Sequence, residues 1–145
     1  MTKLDENISR EISRLSREGN SLAESSRPAE AKSRFVAALG LVPQPHSAWE
    51  TATWLYVSLG DLHFHLGEFD KTLECFANAA QCPAGFGNPF IHLRLGQACY
   101  ELGDLDRAAD ELTRAYEGGE LEILLEDDPK YLEFLETRID IPHTH

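Results

Sequence analysis

The sequence predicts an all-α protein built from pairs of short antiparallel helices. Small and apolar residues recur at helical spacing, one spacing pattern occurs three times along the chain, and helix-breaking residues divide each occurrence in two. The chain has 145 residues, the length of one ordinary domain, and we expect residues 1–145 to form a single unit.

The repeated pattern is anchored by a glycine inside each first helix, namely Gly19, Gly60 and Gly96. Small or apolar residues follow each glycine at offsets of 12, 16 and 19 positions. They are Ala31, Phe35 and Ala38, then Thr72, Phe76 and Ala79, then Ala108, Leu112 and Ala115. The glycines allow a second helix to cross closely, and the bulky middle residue packs between neighbouring pairs. Because one pair cannot bury its own apolar face, the pairs are expected to stack.

A turn is predicted between the two helices of each pair. Pro28 suits the first turn of a helix, whereas Gly67 and Gly103 stand where a helix end favours a left-handed residue. The predicted repeats span about residues 8–43, 49–84 and 88–117.

The chain changes character after the third repeat. Gly118-Gly119 is predicted to end a helix, and an acidic, leucine-rich segment follows. Asp128-Pro129 is a helix start, and Tyr131, Leu132, Phe134 and Leu135 make an apolar stripe at helical spacing. We predict a capping helix within residues 119–138, with a partner-docking helix as the alternative.

The pattern resembles the tetratricopeptide repeat family. The motifs that match best are Leu59-Gly60, Leu66-Gly67-Glu68-Phe69-Asp70, Leu95-Gly96 and Leu102-Gly103-Asp104-Leu105-Asp106. The first repeat departs at Glu18 and Ser26, and the repeat distances of 41 and 36 residues exceed the usual 34. The excess is expected in the linker after Val42 or in a longer following helix. The resemblance implies a right-handed superhelical stack, and residues 87–134 are similar to small stand-alone bacterial repeat proteins.

The net charge of −12 is concentrated in the last third of the chain. Residues 1–100 hold 11 acidic and 9 basic residues, whereas residues 101–145 hold 14 and 4. Such a field repels nucleic acids and anionic membranes and attracts basic proteins. The alternative is that the acidic residues only form a solvated face.

The residues that could carry chemistry do not form a known motif. The sequence contains no phosphate loop, no nucleophile elbow and no CxxC pair, and His63 and His65 point to different sides of a helix. His143 and His145 fall on a tail. The three cysteines are interpreted as small apolar residues. We therefore expect no enzymatic activity, no cofactor and no metal. With no leader sequence or membrane span apparent, the expected location is the cytoplasm.

The resemblance implies that the first helix of each repeat lines a concave groove. Its aromatic residues are expected either to carry binding energy or to be covered by the linker or the last helix. The predicted groove residues are Arg17, Asn20, Trp54, Val57, Asp61, Phe64, His65, Phe90, Leu93, Arg94, Gln97, Tyr100 and Glu101. A predicted acidic surface comprises Glu120, Glu122, Glu126, Asp127 and Asp128.

Chaperone-binding members of the family hold a peptide carboxylate with lysines and asparagines. Only Asn20 and Arg94 match that clamp, whereas Ser16, Ser58 and Phe90 occupy its other positions, so we do not expect binding of acidic chaperone tails. The predicted function is an adaptor that binds a partner protein, as a monomer or a dimer. The alternative is a dedicated inhibitor, such as an immunity protein that neutralises a basic toxin.

Overall fold

A computed structural model describes residues 3–142 and contains helices without strands over that range. The helices are α1 (Glu6–Glu24), α2 (Pro28–Leu41), α3 (Glu50–His65), α4 (Phe69–Ala80), α5 (Pro89–Glu101), α6 (Leu105–Leu125) and α7 (Pro129–Glu136), with a 3₁₀ turn at His46–Ala48. The prediction of an all-α fold is confirmed. Over the described range, no helix is both long and apolar enough to cross a membrane.

Consecutive helices pack as three pairs, α1 with α2, α3 with α4, and α5 with α6. The second helix of one pair also contacts the first helix of the next, and α7 packs against α6. Because each pair covers an apolar face of its neighbour, the buried residues form a series of clusters along the stack.

The close crossing within each pair is set by its glycine. A Cβ atom on Gly60 would lie 2.5 Å from the Phe76 ring, and one on Gly96 would lie 2.6 Å from Leu112 Cγ. Both partner side chains are fully buried, so the larger residue fills the space that the glycine leaves. This contact explains why the sequence pairs a glycine with a bulky residue 16 positions later.

The turns between paired helices use left-handed backbone conformations. The φ angles are +75° at Gly67 and +86° at Gly103, and the corresponding Ser26 has a φ of +59°. The first pair therefore makes the same turn with a residue that adopts this conformation less readily.

Two features of the chain before Gly60 account for the longer distance between the first and second repeat glycines, Gly19 and Gly60. Residues 42–49 form a linker that includes the 3₁₀ turn, and α3 begins three residues earlier relative to its glycine than α5 does.

A helical stretch ends at Gly118-Gly119, as the sequence predicts, because the backbone of the next residue, Glu120, leaves the helical conformation and divides α6 in two. Helical hydrogen bonding resumes after a single break at Glu120, where φ is 60° and ψ is −166°, and α6 continues to Leu125. The break redirects the chain so that Leu124, Leu132 and Leu135 are buried together with Leu93 and Leu112 of the third pair. The part of α6 after Glu120 and helix α7 thus cap the end of the stack.

The three cysteines are free thiols, with Cys82 and Cys99 buried and Cys75 half-buried. Burial raises the pKa of Cys75 to about 11 and raises the pKa of the other two thiols.

At pH 8 the thiolate fraction of Cys75 should be about 100-fold below that of an ordinary cysteine. We therefore expect iodoacetamide to alkylate Cys75 slowly at pH 8 and faster as the pH rises towards 11. Rates equal to those of the denatured protein at pH 8 would contradict this expectation.

The glycine crossings should be intolerant of a single methyl group. Gly96→Ala is expected to reduce the free energy of unfolding by about 1–3 kcal/mol, because the added Cβ overlaps Leu112. Gly40→Ala is the matched control, since its Cβ would meet no atom within 4 Å, and it should stabilise the helix by about 0.5–1 kcal/mol. Denaturant unfolding monitored by circular dichroism measures both changes. A neutral Gly96→Ala would show that the crossing can relax.

Candidate functional site

An open pocket lies on the face of the stack formed by the first helices of the pairs. Asn20 and Ala23 of α1 form one side, α3 forms the floor, and Phe90 of α5 closes the other end. The pocket has a volume of about 350 Å³. Its α3 residues are Val57, Ser58, Asp61, Leu62 and His65. Apolar side chains and a few polar groups thus share one concave surface, the composition that ligand pockets typically show.

Arg94 lies on α5, at the end of this face that the third helix pair forms, and makes internal ion pairs there. Its Nε and Nη2 atoms both lie 3.1 Å from Asp61 Oδ1, and its Nη1 atom donates to Asp127 Oδ2 at 3.0 Å. Gln97 accepts a bond of 2.7 Å from the same guanidinium and donates to Asp127 Oδ2 at 3.0 Å. Arg94 therefore ties together α3, α5 and the segment that precedes α7.

Two aromatic rings enclose the Arg94 guanidinium. Its central carbon lies 4.2 Å from the centroid of Phe64 and 4.8 Å from that of Phe90. Arg94 is only 6% exposed, so these cation–π contacts and ion pairs operate away from bulk water, where electrostatic interactions are stronger.

Three predicted groove residues are therefore not on an open surface. Arg94, Gln97 and Leu93 are buried, and the predicted acidic-surface residue Asp127 points inwards to Arg94. The reason is the path of the chain after Glu120, which places the segment before α7 against α5. Helical spacing within α5 indicates which of its residues share a face, but it contains no information about the segment that covers that face.

The C-terminal helix also covers the end of α5. Tyr131 Oη donates to Glu101 Oε1 at 2.9 Å, and Lys130 forms an ion pair with the same carboxylate. Tyr100 packs against the rings of Tyr131 and Phe134. Burial, with the bond to Glu101, raises the pKa of Tyr131 above its usual range. Tyr100 and Glu101 are thus partly buried by α7.

The remaining predicted groove residues stay accessible. Arg17, Asn20 and His65 are exposed, Trp54 is 44% exposed, and Val57, Asp61, Phe64 and Phe90 are half-buried. His65 Nε2 lies 3.3 Å from Asp61 Oδ2, so this carboxylate contacts both Arg94 and His65. The structure brings Asn20, Val57, Asp61, His65 and Phe90 into one pocket, and Trp54 lies outside its lining.

The other four residues of the predicted acidic surface are exposed to solvent. Glu120, Glu122 and Glu126 are exposed and make no ion pair with another residue in the range 3–142, and Asp128 caps α7 by accepting from the Lys130 N–H. Glu117 belongs to the same surface, where it lines a shallow pocket beside Glu120 and Glu122.

A further pocket lies between α4 and α6, and the sequence interpretation missed it. His92 and Glu111 line it, with His92 Nδ1 facing Glu111 Oε1 at 3.5 Å, too poorly placed for a hydrogen bond. Phe86, Arg107 and Arg114 form its outer part. Phe86 lies in the loop between α4 and α5, where no periodic pattern exists from which its exposure could be recognised.

No group of three or more metal-ligating side chains converges anywhere in the described part of the chain. The two histidines at positions 143 and 145 lie outside that part.

Several solved structures share this architecture. The type III secretion chaperone SycD of Yersinia enterocolitica, in complex with a peptide of the translocator YopD, is 18% identical, covers 92% of this chain and 95% of its own, and has a TM-score of 0.71. The fold is that of the tetratricopeptide repeats. No protein-family model matches the sequence, and no curated protein matches it.

Two further tetratricopeptide repeat structures give the same result. The C-terminal repeat-containing domain of a Plasmodium falciparum FK506-binding protein is 16% identical, with a TM-score of 0.72 over 93% of this chain and 90% of that one. The first repeat domain of Spaghetti (RPAP3), bound to an HSP90 peptide, is 18% identical, with a TM-score of 0.65 over 89% and 90%. At such identities the comparison shows the shared tetratricopeptide repeat fold.

The Arg94 contacts should contribute strongly to stability. Arg94→Met leaves Asp61 and Asp127 as facing like charges and removes a bond from Gln97, so we expect the free energy of unfolding to fall by about 2–3 kcal/mol. Arg10→Met is the control, because its ion pair with Glu6 is highly exposed and should change stability by less than about 0.5 kcal/mol. Equal unfolding midpoints for the two variants would contradict the expectation that the Arg94 contacts stabilise the fold.

Proposed function

We propose that this protein is a non-catalytic binding module whose concave groove holds a segment of a partner protein. The observation that carries the proposal is the open pocket between α1, α3 and α5, where Val57, Leu62 and Phe90 offer apolar surface and Asn20 and Ser58 offer hydrogen bonds. Such a mixture suits an extended or helical segment that inserts an apolar side chain and bonds through its polar groups. Solved proteins of the same fold hold peptides, which adds support.

We propose that binding of the partner segment in this groove does not require a carboxylate on that segment. The buried cation of the concave face, Arg94, already binds two internal carboxylates, Asp61 and Asp127. An acidic chaperone tail would have to displace Asp127, and the chain's net charge of −12 would oppose its approach. We therefore retain the expectation that such tails do not bind. Three free thiols suit the reducing cytoplasm, where we place this activity.

A dedicated inhibitor of a basic protein is the second candidate function. The observation that favours it is the set of exposed carboxylates at the C-terminal end, Glu117, Glu120, Glu122 and Glu126, which lack ion pairs within residues 3–142. A group of unpaired surface carboxylates attracts a basic partner and accelerates its approach. Binding in that case would weaken steeply with salt and would survive changes in the groove.

The groove proposal predicts that Val57→Arg weakens peptide binding. Peptides selected on the wild-type protein from a displayed random library should bind the variant at least about tenfold more weakly, because the arginine fills the pocket with a charged side chain. Val36→Arg is the matched control, since Val36 is an exposed valine on α2 outside that pocket. Fluorescence anisotropy with labelled peptides measures the affinities.

Two results would contradict the groove proposal. One is equal loss of affinity in the Val36→Arg control, and the other is full affinity in Val57→Arg. If binding instead falls in Glu117→Gln/Glu122→Gln and with rising salt, the acidic end is the contact surface and the inhibitor function is favoured.

A further inference from the structure

The loop between α4 and α5, residues 81–88, is bound to α5 through one imidazole. The Gly87 N–H donates to His92 Nε2 at 3.0 Å, and the Phe86 ring packs roughly at right angles to the same imidazole, with centroids 5.8 Å apart. Within residues 3–142, His92 is the one acceptor that this N–H has. Phe86 is 75% exposed, so its position depends mainly on the contacts that its neighbour and its ring make with His92.

The bond from Gly87 requires a neutral imidazole. Because the Gly87 N–H is the donor, Nε2 must present its lone pair, and the single ring proton is carried by Nδ1. An imidazolium has hydrogens on both nitrogens, so protonation of Nε2 would set two N–H groups against each other. Histidine side chains commonly change charge between about pH 5 and pH 8, and a bond of this kind therefore depends on pH.

The charged groups that line the depression around His92 all belong to α6. Nδ1 of His92 lies 3.5 Å from Glu111 Oε1 and has no hydrogen-bond partner within residues 3–142. Glu111 is only 8% exposed, so water screens its charge little. Arg107 and Arg114 lie further out, with Arg114 Nε 3.9 Å from Glu111 Oε1. The α4 residues of the depression are uncharged, namely Ala77 and Ala80, as is Gln81 beside them.

Glu111 and the Gly87 N–H favour opposite charge states of this ring. The carboxylate attracts an imidazolium, whereas the N–H can bond only to the neutral form. Cys99, the other titratable residue of α5 that interacts with Glu111, is a neutral thiol between pH 5 and pH 8, because burial raises its pKa. Protonation of His92 therefore exchanges the bond to Gly87 for a stronger attraction to Glu111.

The residues on either side of Phe86 and Gly87 are anchored independently of His92. A Cβ atom on Gly85 would lie 1.8 Å from the Ala79 carbonyl oxygen, so this glycine packs directly on the end of α4. Asn88 caps α5 by accepting from two backbone N–H groups. Loss of the bond to His92 should therefore free Phe86 and Gly87 without moving the helices.

We propose that His92 is a pH-sensitive latch for Phe86. With a neutral ring, Gly87 is bound and Phe86 forms one wall of the depression between α4 and α6. With a protonated ring, Gly87 is released and the Phe86 side chain leaves the imidazole. The depression, of about 400 Å³, then loses that wall, and its apolar residues Ala77, Ala80 and Leu95 become more accessible. The latch lies outside the concave pocket and does not depend on the proposed function.

Nuclear magnetic resonance on the wild-type chain between pH 8 and pH 5 tests the latch directly. At pH 8 the nitrogen shifts of His92 should report a neutral ring protonated at Nδ1. As the pH falls, those shifts and the Gly87 amide shift should change with one midpoint, and the nuclear Overhauser contacts between the Phe86 and His92 rings should disappear. Gly103 is the internal control. Its φ of +86° matches the +83° of Gly87, but its N–H donates to a backbone carbonyl, which does not titrate in this range.

Two substitutions of neighbouring carboxylates separate the latch from a general effect of charge. Glu111→Gln removes the carboxylate that faces Nδ1 and should lower the midpoint by about 1 pH unit or more. Asp110→Asn removes the same charge from an exposed position on α6 and should leave the midpoint almost unchanged, because exposed charges are screened. His92→Phe lacks the acceptor, so its Gly87 amide should show the released shift already at pH 8. Circular dichroism establishes that each variant is folded.

Three results would overturn the proposal. The first is a Gly87 amide that keeps its pH 8 shift while the His92 ring becomes charged. The second is a wild-type His92 that stays neutral down to pH 5. The third is a Gly103 amide that changes with the same midpoint as Gly87, because the transition would then involve the whole fold and not the loop.

Discussion

The close crossing of two helices at a glycine is the constraint on which the rest of the structure depends. Gly60 lies against the Phe76 ring and Gly96 against Leu112, and in each pair the bulky residue fills the space that a side chain would have occupied. This fixes the distance between paired helices, and the turns at Gly67 and Gly103 fix their direction. The concave face, with its open pocket, is a consequence of stacking pairs of this shape.

The C-terminal segment completes the stack and also decides how much of the concave face stays open. Its leucines bury the end of the third pair, while Asp127 binds Arg94 and Gln97. The same segment leaves Glu120 and Glu122 outside, so one change in chain direction at Glu120 separates an internal carboxylate from external ones. Capping and surface charge thus come from a single stretch of chain.

The open pocket and the exposed residues Phe86 and Leu125 occupy different parts of the molecule. The pocket is bordered by α1, α3 and α5, whereas Phe86 lies between α4 and α6, and Leu125 lies at the end of the stack. The groove and the surfaces around Phe86 and Leu125 can therefore be altered separately by substitution. Their separation follows from a repeat in which first helices and second helices form opposite faces.

The sequence by itself determined the three helix pairs, because the glycine, the bulky residue and the turn are all local requirements with fixed spacing. It also determined the cap at Asp128, where a side-chain oxygen accepts from a nearby N–H group. Only the tertiary structure decided that Arg94 and Asp127 face each other across 33 residues, and that Phe86 is exposed. Those outcomes depend on how distant segments meet, and helical periodicity reports only which residues share a face of one helix.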